Sequence, residues 1–265
     1  MDGFVTVGGS VPGTDHTMPG LPGWKNSHDA FAIREESDRI VAVVCDGCGS
    51  GEDSEVGAKL GAAFIAKRLP ELARTLSGAA AIAVLEVELI EFIRATAQAI
   101  GRGVRPMTIE RYCMFTIVGV LIEHDRTFLF EAGDGFYAVN GAVVRLGDLP
   151  DGTPPYLAYR ITGAEDPRLV TLRVREALPT NSVESIFLGT DGVRYLIDEQ
   201  NVAPFESLAP FWRDDRLFLP NRQMIQRKLN ILNRDRVEKG IVRPGPLKDD
   251  TTIVVVRRMK GDAHA

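Results

Sequence analysis

The chain has 265 residues, 45% of them hydrophobic and 25% charged, with a formal net charge of −5. That length buries a sizeable core and fits one large domain, expected over residues 1–260 with a frayed tail at 261–265. The acidic balance, with no long Lys/Arg run, argues against a nucleic-acid or acidic-membrane binder, and no apolar run approaches the roughly 18 residues of a membrane span.

Met1-Asp2-Gly3-Phe4 lacks the positive region and apolar core of a secretory leader. Cys45, Cys48 and Cys113 are too few and odd in number for a disulfide framework. The cytoplasm is therefore the expected compartment. The first segment, to about Ser37, is rich in Gly and Pro and reads as loop near Pro12–Lys25. Strands are expected at His28–Ile33 and Arg39–Cys45. Two helices follow, Glu55–Leu76 with Ser54 as N-cap, and Ala79–Ile100 ending at Gly101. Pro70 should bend or break the first of them.

The period then changes to that of strands. Tyr112–Glu123, Thr127–Glu131 and Phe136–Val144 form a meander, turned at His124-Asp125 and Asn140-Gly141. A Pro- and Gly-containing loop lies near Leu149–Tyr156. Arg168–Arg175 alternates like a half-buried strand. A short helix should follow Asp191, then an aromatic stretch at Phe205–Phe218. A helix is expected from Arg222 to about Glu238, its basic residues on a solvated face, and a last strand at Thr251–Arg257. Strands in runs, without strict β-α-β alternation, indicate an α+β chain with layered sheets.

Four short aspartate motifs sit beside strand-like runs: Asp46-Gly47 after Arg39–Cys45, Gly133-Asp134-Gly135 after Thr127–Glu131, Thr190-Asp191-Gly192 after Ser185–Gly189, and Asp249-Asp250 before Ile253–Val256. Singly, each is an ordinary turn. Gathered at one rigid edge without matching bases, such carboxylates hold protons or bind cations. Oxygen ligands suit Mg²⁺ and Mn²⁺, and paired ions activate water against a phosphate ester.

Asp29, in Asn26-Ser27-His28-Asp29-Ala30-Phe31, completes an ordered set with Asp46-Gly47-Cys48-Gly49-Ser50, Gly133-Asp134-Gly135, Thr190-Asp191-Gly192 and Asp249-Asp250-Thr251-Thr252. This set, with Gly13-Thr14-Asp15-His16 ahead of it, resembles the bacterial branch of the metal-dependent Ser/Thr protein phosphatases of the protein phosphatase 2C type, over about residues 8–257. The resemblance implies two antiparallel sheets packed as a sandwich and flanked by helix pairs, in four layers. It implies two or three Mn²⁺ or Mg²⁺ ions. Asp46 would bridge two of them and the Gly47 carbonyl would ligate one. Asp191 and Asp249 would hold the second, Asp134 with Asp191 a third, and Asp29 would orient the attacking water. Phosphorylated proteins would be the substrates and a Ser/Thr kinase pathway the counterpart.

The sequence departs from that pattern at three points. Cys48 stands where the family usually has the His proposed to protonate the leaving group, so His16 or His28 is a candidate for that work. His28 replaces the usual Glu or Gln before Asp29. The arginine that grips phosphate in eukaryotic members has no clear match, Lys25 being nearest. A phosphoprotein-binding module with weak catalysis is thus an alternative. A thiol–disulfide protein using Cys45-x-x-Cys48 is another, although Gly49-Ser50-Gly51 is a poor helix start. His124 at a turn, Trp24 and the aromatics after Asp191 read as solvated or packing groups.

Overall fold

A computed structural model describes residues 3–17, 27–147, 154–163, 170–198 and 221–259. Two five-stranded antiparallel sheets dominate it. One has the order β2(Ala30–Glu35)-β3(Ile40–Cys45)-β4(Ile117–Ile122)-β5(Arg126–Ala132)-β8(Arg173–Pro179). The other has the order β1(Phe4–Val11)-β12(Thr251–Arg258)-β9(Ser185–Gly189)-β6(Gly135–Val139)-β7(Ala142–Leu146). A small hairpin, β10(Arg236–Glu238) and β11(Ile241–Arg243), stands apart.

Strand alternation sorts the apolar side chains into three buried clusters. Ile40, Ala42, Val44, Val118 and Val120 meet Ile186, Leu188, Val254 and Val256 between the sheets. Their neighbours Val41, Val43 and Cys45 point the other way, onto α1(Ser54–Leu72), α2(Gly78–Gly101) and α3(Pro106–Tyr112). On the far side Val7, Phe187, Ile253 and Val255 pack against Ile225 and Leu229 of α6(Met224–Leu232) and Leu196 of α5(Arg194–Asp198). The result is the expected four-layer α+β sandwich. A fourth helix, α4(Tyr159–Thr162), is a single turn. Each fully buried side chain of the Leu89 or Phe130 kind contributes about 1.5–3 kcal/mol.

Several local expectations are corrected. β1 is a strand not expected ahead of His28, in the Gly-rich start of the chain, because Gly8 and Gly9 depress strand propensity. Both are needed for close approach: a Cβ on Gly9 would lie 2.5 Å from the Gln226 backbone nitrogen of α6, and one on Gly8 2.6 Å from the Phe31 ring. Tyr112 ends helix α3, which Pro106 starts, and the strand begins only at Ile117. Ser54 does not cap α1. It is the first helical residue, and its hydroxyl donates to the Cys48 carbonyl at 2.8 Å. Pro70 falls in the last turn of α1, which ends at Leu72 rather than Leu76. Gly101 is inside α2, where a Cβ would meet Thr108 at 2.5 Å; the left-handed residue that closes the helix is Arg102.

The helix expected to run to Glu238 stops at Leu232. Asn233 there donates to the Pro12 carbonyl and accepts from the Leu247 amide, and Lys239-Gly240, both at positive φ, turn the β10–β11 hairpin. The Asn140-Gly141 hairpin forms as expected, with φ of 50° and 88° and Val139 paired to Ala142. The strand expected at Arg168–Arg175 runs from Arg173 to Pro179. Trp24, Lys25, Phe205–Phe218, the start of the Arg168–Arg175 segment and the tail lie outside the described residues. No described helix is long and apolar enough to cross a membrane.

Candidate metal centre

Antiparallel pairing brings alternate strand starts and ends to one edge of the sandwich. β3 ends there, followed by Asp46, and β2 starts there, preceded by Asp29; Ala30 pairs with Cys45. β5 ends and β6 starts there, joined across the two sheets by Gly133-Asp134-Gly135. β9 ends there before Asp191, and β12 starts after Asp249-Asp250. Gly133 and Gly135 have φ of 103° and 133°, a conformation that needs glycine on both sides of Asp134.

The backbone fixes each carboxylate. The Thr116 amide donates to the Asp46 carbonyl at 2.8 Å and the Cys48 amide to the Met114 carbonyl at 2.9 Å. Gly47 is buried against the loop before β2; its amide donates to the His28 carbonyl at 3.2 Å, and a Cβ there would lie 2.7 Å from that oxygen. Asp29 is buried, and its Oδ2 accepts from the Thr190 hydroxyl at 2.7 Å. The Thr252 amide donates to that same hydroxyl at 3.0 Å, tying Asp29 to both β9 and β12.

The electrostatics are those of crowded carboxylates. Asp46 is pushed well above the usual range by burial, then by Asp29, Asp191, Asp134 and Asp249 around it. Burial and the nearby Asp250 do the same to Asp29. Burial and Asp191 lift Asp134 to about 6, and burial and Asp191 raise Asp249. The Oδ1 atoms of Asp29 and Asp134 are buried without a hydrogen-bond partner among the described residues. Such a set, oxygen-only and short of positive charge, fits hard divalent cations. Arg194, one helical turn past Asp191, supplies one compensating charge: its guanidinium donates to Asp191 at 2.9 Å and to Asp249 at 3.0 Å. Sequence reasoning missed this residue, although its i,i+3 spacing from Asp191 was the available signal.

His16 stands at the rim. Its Nδ1 is 2.9 Å from Asp250 Oδ2 and its Nε2 3.8 Å from Asp249 Oδ1. The Asp250 carboxylate raises it to about 8, against the opposing effect of burial. His28 is different: its ring is 1% exposed, and burial lowers its pKa. Asp250 accepts the Gly13 and His28 amides at 2.7 and 2.5 Å, so it pins two segments to the start of β12. Cys48 is half-buried, near the Tyr156 hydroxyl, with its Sγ 3.1 Å from the Ser50 hydroxyl. Cys45 is fully buried and its thiol pushed well up by burial, which gives no support to a redox role.

The two-sheet sandwich thus brings five aspartates to one edge. The family pattern described as protein phosphatase 2C matches residues 13–230, and the chain belongs to that family. The match takes in Asp29, Asp46, Asp134 and Asp191 and stops short of Asp249, whose place in the group rests on the geometry. Among solved structures, a bacterial serine phosphatase is 14% identical with a TM-score of 0.54, covering 97% of this chain and 98% of that one. Serine/threonine phosphatase Stp1 from Staphylococcus aureus is also 14% identical, with a TM-score of 0.55 over 97% and 95%. The catalytic domain of the serine threonine protein phosphatase PstP, in complex with two manganese ions, is 14% identical with a TM-score of 0.50 over 97% and 99%. At these identities the likeness establishes the fold. No curated protein sequence matches significantly.

Proposed function

We propose that this chain hydrolyses phosphoserine and phosphothreonine esters on proteins, in the cytoplasm and opposite a Ser/Thr kinase. The observation that carries the reading is the gathering of Asp29, Asp46, Asp134, Asp191 and Asp249 from five separate chain segments to one edge, where burial and mutual repulsion raise four of them. In this reading Asp46 and the Gly47 carbonyl hold a first Mn²⁺ or Mg²⁺, Asp191 and Asp249 with Asp46 a second, and Asp134 with Asp191 a third. Bound there, the ions would supply an activated water and neutralise charge on the phosphoryl oxygens.

The protein's own groups supply the rest. Asp29, fixed by Thr190, is placed to accept a hydrogen bond from the attacking water. His16 is the group set to protonate the leaving alkoxide. Its Nε2 faces the carboxylate edge beside Gly49, and Asp250 steadies its other side. That assignment fills the position the family's usual His leaves open at Cys48. His28, buried behind His16, receives no such role.

Hydrolysis of p-nitrophenyl phosphate and of a phosphothreonine peptide, each with Mn²⁺, Mg²⁺ and EDTA, tests the reading. Metal-dependent turnover of both is expected. Metal binding without turnover of either would instead support a phosphoprotein-binding module.

A further inference from the structure

Two imidazole nitrogens of one buried ring stand without hydrogen bonds beside the aspartate edge. They are His28 Nδ1 and His28 Nε2, both buried and unpartnered among the described residues, with His16 packed next to them. The His16 and His28 rings are in contact, 5.1 Å apart between centroids and tilted by 41°. His16 Nδ1 lies 2.9 Å from Asp250 Oδ2, which brings the carboxylate to the same place. A buried polar group left so costs about 1–3 kcal/mol, and His28 has two such atoms.

We propose that His16, His28 and Asp250 form a second, nitrogen-bearing metal site that takes a borderline transition ion such as Zn²⁺, separate from the all-oxygen set that suits Mg²⁺ and Mn²⁺. One ligand atom from each residue lies within 4.8 Å of the other two. Ligands held about 2.1 Å from a tetrahedral Zn²⁺ are about 3.4 Å apart, so closure requires a small inward shift. The His16–Asp250 distance of 2.9 Å is shorter than that, so this pair would open slightly around the ion.

The supporting contacts are those of a built site. Asp250 is 2% exposed, and the Gly13 and His28 amides hold its two oxygens, one bond each, leaving lone pairs for an ion. Gly13 has no room for a side chain, since a Cβ would lie 2.3 Å from the Lys248 carbonyl. That contact, with the Thr14 and Asp15 amides bonded to the carbonyls of Leu247 and Lys248, presses the His16 turn onto the start of β12. His16 is 19% exposed, so the fourth position opens to solvent on that side. The neighbouring Asp29–Asp249 set has only oxygen donors, and the two sites would sort ions by ligand softness. Zn²⁺ held at His16 would also occupy the proposed proton donor. That consequence rests on the hydrolase reading, whereas the ion site does not.

The test is Zn²⁺ binding to the full chain in saturating Mg²⁺, by calorimetry, for wild type, His28→Gln and Asp46→Asn. The expected result is one site that His28→Gln weakens at least about tenfold and Asp46→Asn leaves in place. Equal binding by wild type and His28→Gln, or loss in Asp46→Asn alone, would overturn the proposal. Cobalt substitution of the wild type guards against a variant that fails to fold. Intense visible absorption of low-coordinate, nitrogen-ligated Co²⁺ is expected, and the faint spectrum of six oxygen ligands would count against the site.

Discussion

Without divalent cations, the protein should become more stable as the pH falls from 8 to 5. The sign follows from carboxylates whose folded-state pKa is raised. The folded chain then binds protons more tightly than the unfolded one, so stability is present at low pH and lost as pH rises through the folded value. Asp134, moved from 3.8 to about 6, carries about 3 kcal/mol in full, of which about half has returned by pH 5. Screening at this partly exposed group leaves about 1 kcal/mol. That alone is roughly 2–4 °C in Tm, and Asp29 and Asp46 act in the same direction. His16, raised to about 8, adds stability below that pH and loses it above. His28 opposes, since its lowered value makes its contribution fade in acid. Thermal unfolding in EDTA at pH 8, 7, 6 and 5 measures the slope. In saturating Mn²⁺ the slope should reverse, because protons then compete with metal. A Tm in EDTA that falls between pH 8 and 6 would refute the reasoning.

Other expectations concern single residues. Arg194→Ala should tighten Mn²⁺ binding by up to about tenfold, read by calorimetry, because it removes a guanidinium that shares Asp191 and Asp249. It should also lower the Tm in EDTA. His16→Gln should slow hydrolysis of a phosphothreonine peptide about 100-fold while sparing p-nitrophenyl phosphate, whose leaving group needs little protonation. Equal losses on both substrates would remove the general-acid assignment. Gly9→Ala should destabilise the fold by about 1–3 kcal/mol in urea unfolding, as its Cβ meets the α6 backbone.

The sequence showed the aspartate edge more clearly than the frame around it. Asp46, Asp134, Asp191 and Asp249 each neighbour an apolar run, and antiparallel pairing alone brings those runs' ends together. Asn140-Gly141 was legible because both residues tolerate the positive φ of a two-residue hairpin. Strand β1 was hidden by Gly8 and Gly9, whose purpose lies in what packs on them rather than in local propensity. The overextended last helix has a similar cause, since its stop depends on Asn233 bonding to distant Pro12 and Leu247. Asp249 and Asp250 are identical in sequence but differ through strand alternation. Asp249 is 29% exposed, facing Arg194; Asp250 is 2% exposed, holding Gly13, His28 and His16. Arg194 shows the converse: a three-residue spacing printed in the sequence, whose importance appeared only with Asp249 beside it.

The central claim is that the aspartate edge holds divalent cations for phosphoester hydrolysis, with Asp46 at its centre. The most direct test is a Mn²⁺ titration of wild type and Asp46→Asn, following bound ion and phosphothreonine-peptide hydrolysis in the same samples. The account predicts at least two Mn²⁺ per wild-type chain with turnover rising alongside. In the folded variant at least one ion and turnover should be lost. Turnover that ignores Mn²⁺, or an Asp46→Asn protein as active as wild type, would contradict it.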